Sequence, residues 1–291
     1  MKNLPQPLLN ILADWQQWQL CEQPPTAEQI KAMPEGLTNQ AFLLQLDSGN
    51  YVLRIASSNS EKLDINRHAE FQIHQCLAQA GLTAKIRYKA PDNSYWLRDY
   101  VEGRSLTAAD LTMPNLRLMV QTLKQIHQLP VLLETPQLKI EDKAEHYWQM
   151  IEKNYSADVL KLRPELQHNL AGFPTGKLSL CHMDPTPANW IQTASGELVL
   201  LDWEYAAIGH PWWDIAALLQ QAPLSQSEQQ ELLNSYGIHP DQNWCLAQAQ
   251  MDYMTVLWYG AQNYWAENKL KQALKNLLGF SVLAEPSRLG V

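Results

Sequence analysis

The feature that most constrains this chain is one stretch, residues 180–217, where chemistry-bearing residues fall at fixed spacing. His182 and Asp184 are followed by Asn189, in the order H-x-D-x-x-x-x-N, and a second acidic residue, Asp202, closes an apolar run at Leu201. Between them, residues 189–192 and 197–201 read as two short strands around the turn residues Ala194, Ser195 and Gly196. The surroundings are helical: apolar residues recur at helical spacing over residues 116–128, 144–154, 225–236 and 243–278. A hairpin embedded in helices is a place to hold polar side chains at a cleft.

The first third has a different pattern. Residues 41–47 and 50–56 are apolar runs separated by Ser48 and Gly49, a hairpin signal. Apolar positions at Ile65, Ala69, Ile73, Cys76, Leu77 and Ala80 predict a helix within residues 61–80, ending at Gly81. Strands are expected at 85–88 and 95–100, joined through Pro91, Asp92 and Asn93. The expectation is an α+β, two-lobed fold: a β-rich N-terminal lobe over residues 1–100 and a mainly helical C-terminal lobe over 101–291.

Residues 1–20 read as one amphipathic helix rather than a secretion signal, and no apolar run approaches the roughly 20 residues that span a bilayer. A net charge of -8 does not attract nucleic-acid phosphates or anionic lipid, and weakly favours a cationic small molecule. Four dispersed cysteines without a C-x-x-C pair suit reduced thiols in a cytoplasmic protein. Oligomeric state leaves no mark in the sequence.

Phosphoryl transfer asks for little covalent chemistry from a protein. It needs a group to orient and deprotonate an attacking hydroxyl, and oxygen ligands for the magnesium that neutralises a triphosphate. Asp184 suits the first task, braced by His182, while Asn189 and Asp202 suit the second. Singly, each has a plainer use: Asp184 as a turn residue before Pro185, Asn189 as a strand-edge cap, Asp202 as a helix N-cap. Their joint order and the β-then-α arrangement favour the chemical reading.

On these residues the chain resembles the aminoglycoside phosphotransferase and choline kinase superfamily, which has a protein-kinase-like fold. The segment Leu201-Asp202-Trp203-Glu204-Tyr205-Ala206 is similar to the choline/ethanolamine kinase and bacterial thiamine kinase branch, and the resemblance runs from about residue 36 to about residue 265. It implies ATP and Mg2+ as cofactors, with Asp184 as the base. Gly36, Thr38 and Asn39 would belong to a nucleotide-covering loop whose backbone N–H groups approach phosphates. Arg54 stands where protein kinases carry lysine and offers a planar fork to phosphate oxygens, with Glu70 as its ion-pair partner. Residues 97–101, with Tyr100, would meet the adenine, and Asp214 would brace the catalytic loop.

The acceptor side is read from two features. Glu204 lies two residues after Asp202 and points the same way if the strand continues, to serve acceptor or metal or to pair with an arginine. Met254, Trp258, Ala261 and Trp265 fall on one face of a continuous helix, either as a core stripe or as an aromatic cage for an organic cation, with Trp258 first and Trp265 second. The implied activity is ATP-dependent phosphorylation of a small cationic alcohol of the choline, ethanolamine or thiamine type. An aminoglycoside-type antibiotic kinase and a non-catalytic pseudokinase are the alternatives. The aromatic-rich C-terminal third weighs against the former, the intact Asp184, Asn189 and Asp202 set against the latter.

Overall fold

The structure, a computed structural model, describes residues 5–34, 39–56, 65–130, 135–172 and 176–279. Gly36 and Thr38 lie outside the described residues. The chain divides into two compact units: residues 1–104 with 191–204, and residues 105–190 with 205–291. The sequence places the divide at 100/101, whereas the first unit also takes back the segment 191–204, which ends in Asp202 and Glu204.

The first unit opens with α1 (Gln6–Leu12) and α2 (Trp15–Trp18), where one helix was expected. Leu8, Leu12 and Trp18 all pack into the same core. At 100° per residue a straight helix would carry Trp18 roughly a quarter turn or more off the face of Leu8 and Leu12, so the break lets all three reach it.

A five-stranded antiparallel sheet follows, from β1 (Ile30–Ala32), β2 (Asn39–Leu46), β3 (Gly49–Ala56), β4 (Ile86–Lys89) and β5 (Tyr95–Asp99), in the order β1-β2-β3-β5-β4. The β2–β3 hairpin closes with Leu46 opposite Gly49, so its loop is Asp47-Ser48, and Gly49 opens β3 at φ 141°. Alternation sends Phe42, Leu44, Leu46, Tyr51, Leu53, Tyr95 and Leu97 to the face covered by α1 and α2. There the indole of Trp18 donates to the Tyr95 hydroxyl at 3.1 Å.

The other sheet face carries Val52 and Arg54, with Arg98 and Trp96 opposite them in register. Against it lies α3 (Arg67–Gln79), N-capped by the Asn66 side chain, which accepts from the Ala69 amide at 3.0 Å. The rings of Phe71 and His74 sit 6.1 and 5.3 Å from that of Trp96. His74 is buried and its Nε2–H donates to the Ala84 carbonyl at 2.7 Å.

Burial pushes the His74 pKa down to about 3, and the nearby cations Arg98 and Arg54 add to the effect. The unfolded chain takes up this proton below about pH 6.5 and the folded chain does not. Acid therefore removes stability from pH 6.5 downward, about 2 kcal/mol between pH 7 and pH 5 from this residue. Chemical denaturation at the two pH values should show that loss, and His74→Gln, which keeps a donor but does not titrate, should shrink it by that amount.

The remaining elements follow in order. They are β6 (Arg104–Ser105), α4 (Met113–Ile126), α5 (Ile140–Ile151), α6 (Ala157–Leu160), α7 (Arg163–Asn169), β7 (Ser179–Cys181), β8 (Trp190–Gln192) and β9 (Leu198–Leu200). After them come β10 (Ala207–Gly209), α8 (Pro211–Leu219), α9 (Gln226–Tyr236), α10 (Gln242–Ala261) and α11 (Glu267–Leu278). Gly103, just before β6, adopts φ 155°, and a Cβ there would lie 2.3 Å from the Gln192 carbonyl oxygen, a contact that only glycine permits. In the second unit β7 and β10 pair antiparallel, Cys181 opposite Ala207.

The helix expected over residues 243–278 is two helices. α10 ends at Ala261, Asn263 turns the chain through the left-handed region at φ 57°, and α11 begins at Glu267. The reversal buries Leu270, Leu274 and Leu277 of α11, and Gly260 admits Leu270 so closely that a Cβ would meet it at 3.0 Å. Trp258 and Trp265 therefore do not share a helix face. All four cysteines are free, and among the described residues no helix is long and apolar enough to cross a membrane.

Candidate active site

Two constellations, one in each unit, hold most of the described residues that the sequence singles out; Tyr100, Trp258 and Trp265 lie outside both. The first is built on Arg54. Strand alternation aims it at α3, where its Nη1 donates to Glu70. Its Nη2 donates to Asp202 Oδ1 at 2.9 Å and to Glu204 Oε2 at 3.0 Å. Arg67 closes the network from the helix, reaching Glu70 Oε2 at 2.8 Å, Glu204 Oε2 at 3.1 Å and Asn39 Oδ1 at 2.9 Å. Asn39 in turn donates to Glu204 Oε2 at 2.8 Å.

Glu70, Asp202 and Glu204 bring carboxylate oxygens within 4.8 Å of one another, a spacing fit for a cation, and Arg54 supplies that cation. Burial works against the Arg54 charge, but the three carboxylates more than offset it and hold the guanidinium protonated. The carboxylates are not equivalent. The side chains of Glu70 and Glu204 are 1% and 5% exposed, that of Asp202 is 36%. Asp202 is thus the one with a free face to offer.

The strand does not continue through Asp202 to Glu204. β9 stops at Leu200, and Asp202 adopts the left-handed region at φ 65°. The turn lets Trp203 bury fully, with its indole donating to Thr83 Oγ1 at 3.3 Å, while Thr83 donates to the Leu200 carbonyl at 2.8 Å. Asp202 and Glu204 reach the same guanidinium through this turn, not through strand alternation.

Arg67 and Arg98 were not singled out by the sequence reading. The signal for Arg98 was available, since period-2 alternation puts it on the face of Trp96 and Arg54. Burial, with Arg54 beside it, pushes Arg98 down to about 10. Tyr100, half-buried, donates its amide to the Asn50 carbonyl at 3.0 Å.

The second constellation is the loop after β7. Asp214 of α8, fully buried, accepts the His182 amide on Oδ2 and the Met183 amide on Oδ1, each at 2.7 Å. Met183 is held in the left-handed region at φ 67°. The Asp184 amide donates to His182 Nδ1 at 3.2 Å. Asn189 Nδ2 donates to the Asp184 carbonyl at 2.8 Å and to Asp184 Oδ2 at 2.9 Å. Trp190, fully buried, ties its indole to the Pro185 carbonyl at 3.1 Å.

Behind the loop, His127 Nε2–H donates to Asp214 Oδ2 at 2.9 Å. Its Nδ1 is in hydrogen-bond contact with the Tyr236 hydroxyl at 2.6 Å. His127 caps the C-terminus of α4 and Tyr236 ends α9, too far apart in sequence for spacing to have paired them.

Amide and carboxylate oxygens are the donors that a hard divalent cation takes; in the second unit Asn189 turns its N–H groups to Asp184, and in the first Asp202 has a partly exposed carboxylate. On the acceptor candidates, Trp258 is half-buried and its indole donates to the Tyr205 hydroxyl at 3.1 Å. Trp265 stacks on Tyr259, centroids 4.8 Å apart and planes within 4°.

Comparison with known proteins decides the family. The profile of the phosphotransferase enzyme family matches residues 29–248. This chain belongs to that family. It is 27% identical over 255 residues to thiamine kinase of Escherichia coli O139:H28, a match covering 85% of each chain. It is 26% identical over 214 residues to protein LicA of Haemophilus influenzae, covering 69% of this chain and only 60% of that protein's length.

Among solved structures, choline kinase LicA from Streptococcus pneumoniae aligns with a TM-score of 0.71 at 22% identity, over 86% of this chain and 95% of that one. LicA in complex with AMP aligns at 0.69 and 22%, over 87% and 94%. The fold is protein-kinase-like and α+β, and the chain is a phosphotransferase by family.

Proposed function

We propose that this protein is an ATP- and Mg2+-dependent kinase that phosphorylates the hydroxyl of a small organic cation of the choline, ethanolamine or thiamine type. The observation that carries this reading is the pinned loop, where Asp214 accepts the His182 and Met183 amides and Asn189 donates to the Asp184 carboxylate. Asp184 orients the acceptor hydroxyl and takes its proton as the hydroxyl oxygen bonds to the γ-phosphorus. The bond from that phosphorus to the β–γ bridging oxygen breaks, and ADP leaves.

Arg54 and Asn39, with Gly36 and Thr38, serve the phosphates, Tyr100 and its neighbours the base. Asn189 and Asp202 would hold magnesium, which when bound would neutralise the triphosphate. Glu70 and Glu204, each bound to Arg54 and Arg67, set the pose of those cations. AMP in a similar LicA structure supports an adenine nucleotide as donor. For the acceptor, Trp258 and Tyr205 offer aromatic surface, and the net charge of -8 favours a cation. An enzyme that draws on ATP and keeps four free thiols works in the cytoplasm.

The test is ADP release with Mg2+-ATP against choline, ethanolamine, thiamine and an aminoglycoside. Acceptor-dependent release with at least one of the three small cations is expected. Release with the aminoglycoside alone, or with none, would sink this reading in favour of the antibiotic kinase or the binding module.

A further inference from the structure

The aromatic surface beside Trp258 already holds a cation. Lys143 Nζ lies 5.4 Å from the ring centroid of Tyr147 and 5.8 Å from that of Tyr205, both within cation–π range. Tyr205 is the residue whose hydroxyl receives the Trp258 indole at 3.1 Å. All four residues belong to the second unit. Lys143 and Tyr147 are neighbours one helical turn apart on α5. α5 is fixed against α10 by the buried Trp148, whose indole donates to Tyr253 Oη at 2.6 Å. The placement of Lys143 relative to Tyr205 and Trp258 thus rests on packed elements.

An aromatic face that attracts a lysine ammonium attracts a substrate ammonium by the same quadrupole, and two like charges cannot share it cheaply. We propose that Lys143 is a resident competitor of the acceptor, occupying in the free enzyme the aromatic ground that the acceptor's cationic group takes when bound. The inference rests on reading Tyr205 and Trp258 as the acceptor side. The lysine stem is long and flexible enough to release its ammonium to water. Lys143 therefore sets acceptor affinity and charge selectivity without taking part in phosphoryl transfer.

The test uses Lys143→Gln, Lys143→Met and Lys143→Arg in the full chain, with steady-state kinetics on the best cationic acceptor and on Mg2+-ATP. Removing the charge should lower the acceptor KM by about tenfold, with kcat within about twofold and the KM for ATP unchanged. Lys143→Met, which keeps the stem, should behave like Lys143→Gln, and Lys143→Arg should keep the wild-type KM or raise it. An acceptor KM that stays the same or rises in both neutral variants overturns the inference alone, provided the wild type turns over a cation. A wild type that phosphorylates no organic cation overturns the acceptor reading itself, and this inference with it.

Discussion

Asp184→Ala should lower turnover by about a thousandfold, within the range that general-base groups contribute, while nucleotide affinity changes little. The structure makes this variant readable. The loop is positioned by Asp214 through the His182 and Met183 amides and by the Trp190 indole on the Pro185 carbonyl, none of which involves the Asp184 carboxylate. Asn189 keeps its bond to the Asp184 backbone carbonyl, at 2.8 Å, whatever side chain stands there. Loss of activity would therefore report on the carboxylate and not on a collapsed loop. Single-turnover ADP formation and calorimetric titration with nucleotide separate the two quantities. A variant that kept more than about a tenth of the wild-type rate would remove Asp184 from the role of base.

The second large effect is expected at Asp214. Its carboxylate stands fully buried among three donors: the His182 amide, the Met183 amide and the His127 imidazole. Asparagine fills the same space but brings two N–H groups of its own, so at least one donor meets another donor. A buried polar group left without a partner costs about 1–3 kcal/mol, and charge-assisted bonds are lost besides. Asp214→Asn should therefore lose about 3 kcal/mol, and a chain of this size should melt roughly 6–12 °C lower. Met183 holds φ 67° only because its surroundings fix it, so the loop should relax and kcat should fall by about a hundredfold, with both KM values less affected. Thermal melts with steady-state kinetics check both parts. A lower Tm with wild-type kcat would confine Asp214 to stability.

Much of this was legible because it is encoded locally. The alternation in residues 41–56 gives the β2–β3 hairpin, and the spacing of Ala69, Ile73 and Leu77 gives α3. Arg54 and Glu70, placed on consecutive elements, meet as the sequence expects. Misjudged boundaries have physical causes in packing. α1 and α2 separate so that Trp18 can join Leu8 and Leu12, and α10 and α11 separate so that Leu270 can fold against Gly260. Apolar periodicity marks a buried face but carries no sign of where the chain must reverse.

By itself, then, the sequence determined the short-range periodicities that mark the β-rich first third and the helices after it, since spacing along one element fixes which side chains share a face, and it carried the H-x-D-x-x-x-x-N loop on which the resemblance to the family rests. Tertiary structure decided the rest. It returned residues 191–204 to the first unit, turned Asp202 and Glu204 onto one guanidinium through a left-handed turn, and set His127 and Tyr236 behind Asp214. It also parted Trp265 from Trp258 and laid Lys143 against Tyr205. Most of these contacts join residues dozens of positions apart or more, where the partner is chosen by how buried surfaces pack and by which polar groups must be satisfied within them.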